Sequence, residues 1–180
     1  MKKLTVICCI FLLLCTTLSG CFFLIPSIRT ESQPKTFEAD GIRLVLTDAF
    51  QETESERGFF AYYTSQDCGV TVTKEAFSQE AGMDQLPLEE YIRNVIRNNG
   101  HQNIQPQNRD GLWYYVVDKD NTCIHAYCYK GPDAFFIVQF ICMRSDAETM
   151  AETFHQWALQ VEVFPSQNSQ RPHPMRMWSF

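Results

Sequence analysis

Two groups of chemically active side chains stand out in this 180-residue sequence, and the first pairs a thiol with an imidazole. Cys123 and His125 are two residues apart in a stretch that predicts a β-strand, so both side chains project from one strand face. Such a pair can act as nucleophile and base if the thiolate is activated and a third group orients the ring. We identify no third group and interpret the pair as packed strand residues.

The second group consists of Glu148, Glu152 and His155, which recur at i, i+4 and i+7 along a predicted helix. Carboxylates and an imidazole at this spacing could hold a metal ion, but a solvated helix face has the same pattern, and we favour that interpretation. The sequence also lacks a Gly-x-Ser-x-Gly elbow and a phosphate-binding glycine loop. It therefore predicts no catalytic residue, no metal ligand and no cofactor.

Four cysteines lie in the predicted domain: Cys68, Cys123, Cys128 and Cys142. An even number suggests disulfides if the protein is exported. Cys123 and Cys128 are five apart on one predicted strand and point to opposite faces, so they cannot bond to each other. Cys142 lies on the next strand and could approach Cys123 across a hairpin, which makes these two the candidate disulfide. Buried free thiols are the alternative.

The N-terminal segment has the layout of an export signal. Lys2 and Lys3 precede an apolar run at residues 4–14, and the motif Leu-Ser-Gly-Cys ends at Cys21. This motif resembles the lipobox of bacterial lipoproteins, in which two small residues precede an obligatory cysteine. The resemblance implies a signal peptide at residues 1–20 and a diacylglyceryl group on Cys21, which would hold the mature chain on the outer face of the cell membrane.

An uncleaved membrane helix is the alternative for the same segment. Apolar character resumes after Cys21, so residues 4–25 would form a helix about 33 Å long at ~1.5 Å per residue, enough to span a bilayer. Both interpretations place the domain outside the cytoplasm. In the lipoprotein interpretation, residues 21–36 are the lipidated N-terminus and a polar tether.

The charge balance excludes one class of partner. The chain has 15 basic and 21 acidic residues and a net charge of −6, and loss of Lys2 and Lys3 with the signal peptide would make the charge −8. Nucleic-acid binding depends on phosphate neutralisation by Lys and Arg, so none is predicted. A polybasic patch for anionic lipids is also lacking. The expected partners are the membrane, through the lipid on Cys21, and a protein of the cell envelope.

Hydrophobic periodicity predicts an α+β domain. Apolar residues at helical spacing predict a first helix: Leu88, Tyr91, Ile92, Val95 and Ile96. Residues 112–117, 122–129 and 134–143 predict an antiparallel meander, because turn formers separate them. A second helix follows, with a capping box formed by Ser145 and Glu148. The predicted architecture is an antiparallel sheet of about six strands with helices covering both faces, an α/β/α sandwich.

The order of these elements resembles the PsbP/Mog1-like sandwich, which occurs in many small bacterial lipoproteins. The resemblance rests on Leu-Pro-Leu-Glu-Glu-Tyr-Ile at the first helix, Asp-Gly-Leu-Trp-Tyr-Tyr where the meander opens, and Phe-His-Gln-Trp-Ala in the closing helix. It covers residues 37–164 and implies a domain used mainly for binding and assembly. Residues 165–180 are rich in polar residues and proline and are predicted to be a disordered tail.

These observations favour a non-catalytic binding or accessory module of the cell envelope. Two alternatives stay open. One is an envelope enzyme that uses Cys123 with His125, or a metal held by His155 with its neighbouring carboxylates. The other is a carrier that holds an apolar ligand in a pocket between the sheet and a helix. Titratable groups that converge in a cleft would support the enzyme, and an exposed groove would support the module.

Overall fold

The chain divides into two units, Met1–Glu31 and Ser32–Phe180. The computed structural model describes residues 32–54 and 59–167, all in the second unit. The predicted signal peptide, Cys21 and most of the predicted tail lie outside the described residues. Within the described ranges, no helix is long and apolar enough to cross a membrane.

The described elements are ten strands and two α-helices. In chain order they are β1 (Pro34–Ala39), β2 (Ile42–Thr47), β3 (Gln51–Glu52), β4 (Ala61–Thr64), β5 (Cys68–Ala76), α1 (Leu88–Asn98), β6 (Gln107–Arg109), β7 (Leu112–Lys119), β8 (Thr122–Lys130), β9 (Ala134–Met143), α2 (Ala147–Leu159) and β10 (Glu162–Val163). Short 3₁₀ turns at Phe77–Gln79, Met83–Gln85 and Arg144–Asp146 connect some of them.

The strands form two antiparallel sheets. The main sheet has seven strands in the order β3-β4-β5-β9-β8-β7-β6, and a small sheet has the order β1-β2-β10. Helix α1 packs against β7 and β8 on one face, and α2 packs against β8 and β9 on the other face and also contacts β2. The predicted helix–sheet–helix sandwich is therefore confirmed. The main sheet has seven strands, where about six were predicted in one sheet. Strands β3 and β6 were missed because they are short, exposed and polar and leave no apolar pattern in the sequence, whereas β1 and β2 lie in the separate small sheet.

Strand β9 explains how one sheet supports two apolar layers. Its alternate residues Phe136, Val138 and Phe140 face α2 and the small sheet, whereas Phe135 and Ile137 face α1. All five are at most 5% exposed. The nearly continuous apolar run of residues 134–142 is thus the sequence of a strand covered on both faces, as predicted.

The two helices begin in different ways. Helix α1 follows Pro87 and has Glu89 and Glu90 in its first turn, where carboxylates favour the positive end of the helix dipole. Helix α2 begins after a 3₁₀ turn, and its N-cap residue is Asp146, which makes no capping hydrogen bond with its side chain. The Ser145 hydroxyl donates to Asp146 Oδ1, 3.1 Å away. The predicted capping box was therefore wrong, because Ser145 lies within the 3₁₀ turn and not at the start of the helix.

Both ends of the described unit are hydrogen-bonded to the domain. Strand β1 begins at Pro34, within the segment predicted as tether. At the other end, Ser166 N–H donates to Asp133 Oδ2 and Gln167 N–H donates to Asp40 Oδ1. The Lys74 ammonium donates to both Asp40 Oδ2, at 3.0 Å, and Ser166 Oγ, at 2.6 Å. The bond from Lys74 holds the pKa of the Asp40 carboxyl below its usual value. The bonds of Ser166 and Gln167 fix the chain that leaves β10.

Candidate functional site

A cleft of about 680 Å³ opens beside α1, on the part of the main sheet that this helix does not cover. Strands β5, β9 and β7 form its floor, α1 forms one wall, and residues 80–86 form the opposite rim. The floor residues are Thr73, Glu75, Tyr115, Ile137 and Gln139, and the α1 wall contributes Tyr91, Asn94, Val95 and Asn98. The cleft is therefore lined largely by side chains that can form hydrogen bonds.

The polar floor follows from the alternation of residues along β5. Val70 and Val72 point to the α2 side, where both are fully buried. Thr71, Thr73 and Glu75 have the opposite parity and point to the cleft side. Because α1 lies over β7 and β8, this side of β5 needs no apolar residues to pack against a helix. The same strand thus serves the core with one face and the cleft with the other.

Tyr91 is a buried polar group in the wall of the cleft. Its ring stacks on Phe135 with centroids 3.9 Å apart and 7° between planes, and the residue is 3% exposed. Its hydroxyl has no hydrogen-bond partner of acceptable geometry among the described residues. Burial, and next the charge of Glu75, raise the pKa of Tyr91 far above its usual value. The hydroxyl is therefore a protonated and unsatisfied group beside a carboxylate, which costs free energy unless something satisfies it.

Glu75 lacks a cationic partner within the part of the chain that the structure describes. Arg97 also lines the cleft, but its guanidinium donates to Asn94 Oδ1, 2.8 Å away on the same helix. Deeper along the floor, Thr71 Oγ1 donates to Gln139 Oε1 at 3.0 Å, and burial raises the pKa of Tyr115 to about 12. The cleft thus combines two carboxylates that form no ion pair among the described residues, Glu75 and Glu80, with hydroxyl and amide groups.

The structure does not assemble the Cys123–His125 pair into a catalytic dyad. Both residues lie on one face of β8, as the sequence predicted, and this face packs against α2. The His125 ring packs edge-on against Phe154, with centroids 5.5 Å apart. Burial, and next the bond and charge of Asp118, raise the pKa of Cys123 to about 12, so the thiol is protonated at neutral pH. A protonated thiol is a poor nucleophile, which supports the interpretation of the pair as packed residues.

His155 is buried, whereas the sequence predicted that it lies on a solvated helix face. It is 1% exposed, and its Nε2 lies 2.8 Å from Asp110 Oδ2. Glu152 stays on the surface, where it accepts a hydrogen bond from Arg109 at 2.9 Å. The prediction of one solvated face was therefore wrong for His155, because the buried stripe of α2 is wide enough to include the residue after Phe154. Among the described residues, no three His, Cys, Asp or Glu are placed to hold a metal ion.

All four domain cysteines are free and buried in the structure. Cys123 lies directly opposite Cys142 in the β8–β9 register, on the face toward α2. Cys128 faces α1 instead, which confirms that it cannot reach Cys123. The candidate disulfide between Cys123 and Cys142 stays a prediction.

His125 makes the stability of the domain depend on pH. Burial lowers the pKa of His125 below its ordinary value of 6.5. As the pH falls below 6.5, the unfolded chain takes up a proton that the folded protein resists, so stability present above this pH is lost. We expect the free energy of unfolding to fall by up to about 1.4 kcal/mol per pH unit until the folded pKa is reached. Urea denaturation from pH 7.5 down to about pH 5 should show a shallower slope for His125→Gln; equal slopes would contradict this assignment.

Comparison with known proteins shows the class of fold. The chain is similar to CyanoP, the PsbP of Synechocystis sp. PCC 6803, with a TM-score of 0.51 and 13% identity over 80% of this chain and 99% of that one. A protein of Bacteroides thetaiotaomicron VPI-5482 has a TM-score of 0.51 and 12% identity over 73% of this chain and 48% of its own. A variant of Mog1 has a TM-score of 0.47 and 9% identity over 74% and 97%. No family model and no curated protein matches the sequence.

The domain therefore has the PsbP-like α+β fold, and the predicted resemblance is confirmed at the level of fold. At 13% identity the likeness carries no residue role and no activity to this chain. The cleft itself was not predicted. The alternation Val-Thr-Val-Thr-Lys-Glu at residues 70–75 indicates a strand with one polar face. It does not indicate that α1 covers β7 and β8 and leaves this face of β5 open.

Proposed function

We propose that this protein is an exported lipoprotein, anchored in the cell membrane through Cys21, whose domain is a non-catalytic module of the cell envelope. Its cleft would bind a ligand or partner side chain that carries an ammonium group. The observation that carries the proposal is the Glu75 carboxylate on the floor of a cleft of about 680 Å³, where no cation of the described residues pairs with it. Such a cleft is large enough for a small ligand or for a side chain of a partner protein.

The surroundings of Glu75 favour a cation over an anion. Glu80 also lines the cleft, and the only cationic lining residue among those described, Arg97, is engaged on the helix surface. A charge-assisted hydrogen bond from an ammonium group to Glu75 would be stronger than one from a neutral donor. Tyr115 and Phe59 also line the cleft, and a cation is attracted to the face of an aromatic ring. The polar floor is unsuited to the apolar ligand of the carrier hypothesis.

The anchor is supported by the N-terminal sequence and by the charge of the chain. The motif ending at Cys21 resembles a lipobox, and the acidic domain gives no other means of binding an anionic membrane. With β1 starting at Pro34, residues 21–33 would join the lipid to the domain. Intact-mass measurement of the membrane form should show a diacylated chain that begins at Cys21. Recovery of an uncleaved chain that begins at Met1 would favour the helical anchor.

A titration with a lysine derivative tests the cleft. Isotope-labelled protein is titrated with N-acetyl-lysine methylamide, and backbone chemical shifts are followed by NMR. We expect shifts concentrated at Thr73, Glu75 and Asn94, and at least about a tenfold weaker affinity for Glu75→Gln, since a hydrogen bond to a charged group contributes about 1.5–3 kcal/mol.

Two controls keep the titration specific. N-acetyl-lysine methylamide that is also acetylated on its side-chain amine has no positive charge and should bind at least about tenfold more weakly. Glu148→Gln removes one exposed carboxylate on α2, on the other side of the sheet, and should bind like the wild type. Equal binding of the charged and neutral lysine derivatives, or equal weakening by Glu75→Gln and Glu148→Gln, would reject the ammonium site.

A further inference from the structure

Three of the four domain cysteines form a row across the three central strands of the main sheet. Cys68 on β5 pairs in register with Cys142 on β9, and Cys142 pairs in register with Cys123 on β8. All three face α2 and the small sheet, on the opposite side of the sheet from the cleft. The row lies at one end of the sheet, because β5 begins at Cys68 and β9 ends one residue after Cys142.

The hydrogen-bond pattern shows that the two cysteine pairs are not equivalent. Arg144 N–H donates to Asn121 O, and Cys123 and Cys142 lie two residues farther along each strand, so they form a hydrogen-bonded pair. Phe77 and Asp133 form a hydrogen-bonded pair in the β5–β9 register, because Phe77 N–H donates to Asp133 O. The two types of pair alternate along an antiparallel ladder, and Cys68, paired with Cys142, is an odd number of residues from Phe77. That pair is therefore of the non-hydrogen-bonded type, in which Cα atoms are about 4.5 Å apart and side chains are closer than at the ~5.5 Å of the other type.

Both Cα separations fall within the ~4.4–6.8 Å that a disulfide allows, and the Cys68–Cys142 pair has its side chains closer together. A metal site is disfavoured, since the outer thiols lie on strands two spacings of about 4.8 Å apart, in a flat row and not a cage. No metal-binding group of three is found in the described ranges. Burial, and next the charge of Cys68 on the neighbouring strand, raise the pKa of Cys142.

From this geometry we infer that the row is a thiol–disulfide exchange site, in which Cys142 bonds first to Cys68 and can then transfer to Cys123. The Cys68 thiolate attacks a disulfide RS–SR of a donor and releases one RS⁻. The Cys142 thiolate then attacks the Cys68 sulfur and releases the second RS⁻, and each RS⁻ takes up one of the two thiol protons. The two cysteines are oxidised by two electrons, and the donor is reduced to two RSH.

Transfer along the row needs no further oxidant. When the Cys123 thiol ionises, its thiolate attacks the Cys142 sulfur, the new S–S bond forms between these two, and Cys68 leaves as a thiolate that takes up the proton lost by Cys123. This step is slower than the first, because burial raises the pKa of Cys123 to about 12 and little of it is ionised at neutral pH. Cys68 is the entry point because it is the most exposed of the three, at 8%, beside the turn that precedes β5. The Ser65 hydroxyl lies 3.5 Å from its sulfur and lowers the pKa that burial raises. Cys128 is on the other face and takes no part.

Purified full-length protein exchanged with oxidised glutathione provides the test, and it does not depend on whether the protein is exported. After acid quenching and alkylation, peptides are mapped by mass spectrometry. Cleavage after Lys119 and Lys130 leaves Cys123 and Cys128 in one peptide, so the two cannot be told apart, and the mapping therefore uses a Cys128→Ala background. We expect the four domain thiols to fall to two in the chain with all four, and the mapped bond to join Cys68 and Cys142.

Single substitutions separate the steps of the exchange. Cys68→Ala should redirect the bond to Cys123–Cys142, formed more slowly because the more exposed entry thiol is lost. Cys142→Ala should abolish the intramolecular disulfide, and Cys128→Ala alone should still lose two thiols. Reduction of the oxidised protein should lower its midpoint of urea unfolding, but not that of Cys142→Ala. The proposal would be overturned if all four domain thiols stayed free after exchange, if the bond included Cys128, or if Cys142→Ala retained a bond within the domain.

Discussion

Phe140→Ala should lower the free energy of unfolding by about 3–5 kcal/mol, the range for removal of a fully buried aromatic ring. Phe140 has 0% exposure and lies on the middle strand of the main sheet, β9. Its ring stacks on Phe154 at 5.2 Å and contacts the rings of Tyr127 and Trp157 at 5.8 and 6.0 Å. The substitution leaves a cavity between sheet and α2 that these large rings cannot fill without leaving their own contacts.

Leu159→Ala provides a matched control for Phe140→Ala. Leu159 is the last residue of α2 and is 43% exposed, so its truncation should cost less than about 1 kcal/mol. Urea denaturation at neutral pH, followed by circular dichroism, gives the free energy of unfolding of both variants. If both unfold in two states, the dependence of this free energy on urea concentration should be the same for the two. A loss for Phe140→Ala no larger than that for Leu159→Ala would show that α2 does not depend on this aromatic contact.

The aromatic layer around Phe140 is also the part of the fold that sequence reasoning can reach. The apolar run of β9 and the helical spacing of Tyr91 and Ile92 are local patterns, and burial on one or both faces follows directly from them. Turn-forming residues between β7, β8 and β9 predict their antiparallel order for the same reason. Elements of this kind are predictable because the information lies within about ten neighbouring residues.

The candidate site depends on relations that no local pattern contains. The cleft exists because α1 lies over β7 and β8 and leaves β5 open, and the sequence of α1 predicts its apolar face but not its lateral position. The position of Cys68 opposite Cys142 depends on pairing between strands 74 residues apart along the chain. His155 was placed on the wrong side because one polar residue at the edge of an apolar stripe can belong to either face.

The main sheet therefore separates two environments that use the same strands. On the α2 side, packed aromatic rings and the row of thiols exclude water, and burial raises the pKa of Cys123 to about 12. On the α1 side, Thr73 and Glu75 of β5 line an open cleft. Because side chains alternate along β5 and β9, a one-residue slip in register would exchange the two sets of residues. Features that fix the register should therefore matter for both proposed sites.

Gly41→Ala should have the second largest effect on stability, about 2–4 kcal/mol, because strain and steric overlap add. Gly41 lies between β1 and β2 with φ of +95°, a conformation that residues with a Cβ rarely adopt. An added Cβ would lie 2.9 Å from Phe136 Cζ and 3.0 Å from Ser166 Oγ. The Phe136 ring is fully buried and cannot move aside, so the hairpin would have to shift away from the core.

Gly82→Ala separates the two causes. Gly82 has a similar φ of +84°, but nothing lies within 4 Å of an added Cβ, so its substitution should cost only the backbone strain, about 1–2 kcal/mol. The excess loss in Gly41→Ala measures the overlap with Phe136 and Ser166. In a Phe136→Leu background the overlap with Phe136 is relieved, and the cost of Gly41→Ala should fall toward that of Gly82→Ala, although the close contact with Ser166 Oγ remains. If the cost is unchanged in that background, the overlap with Phe136 does not contribute to it.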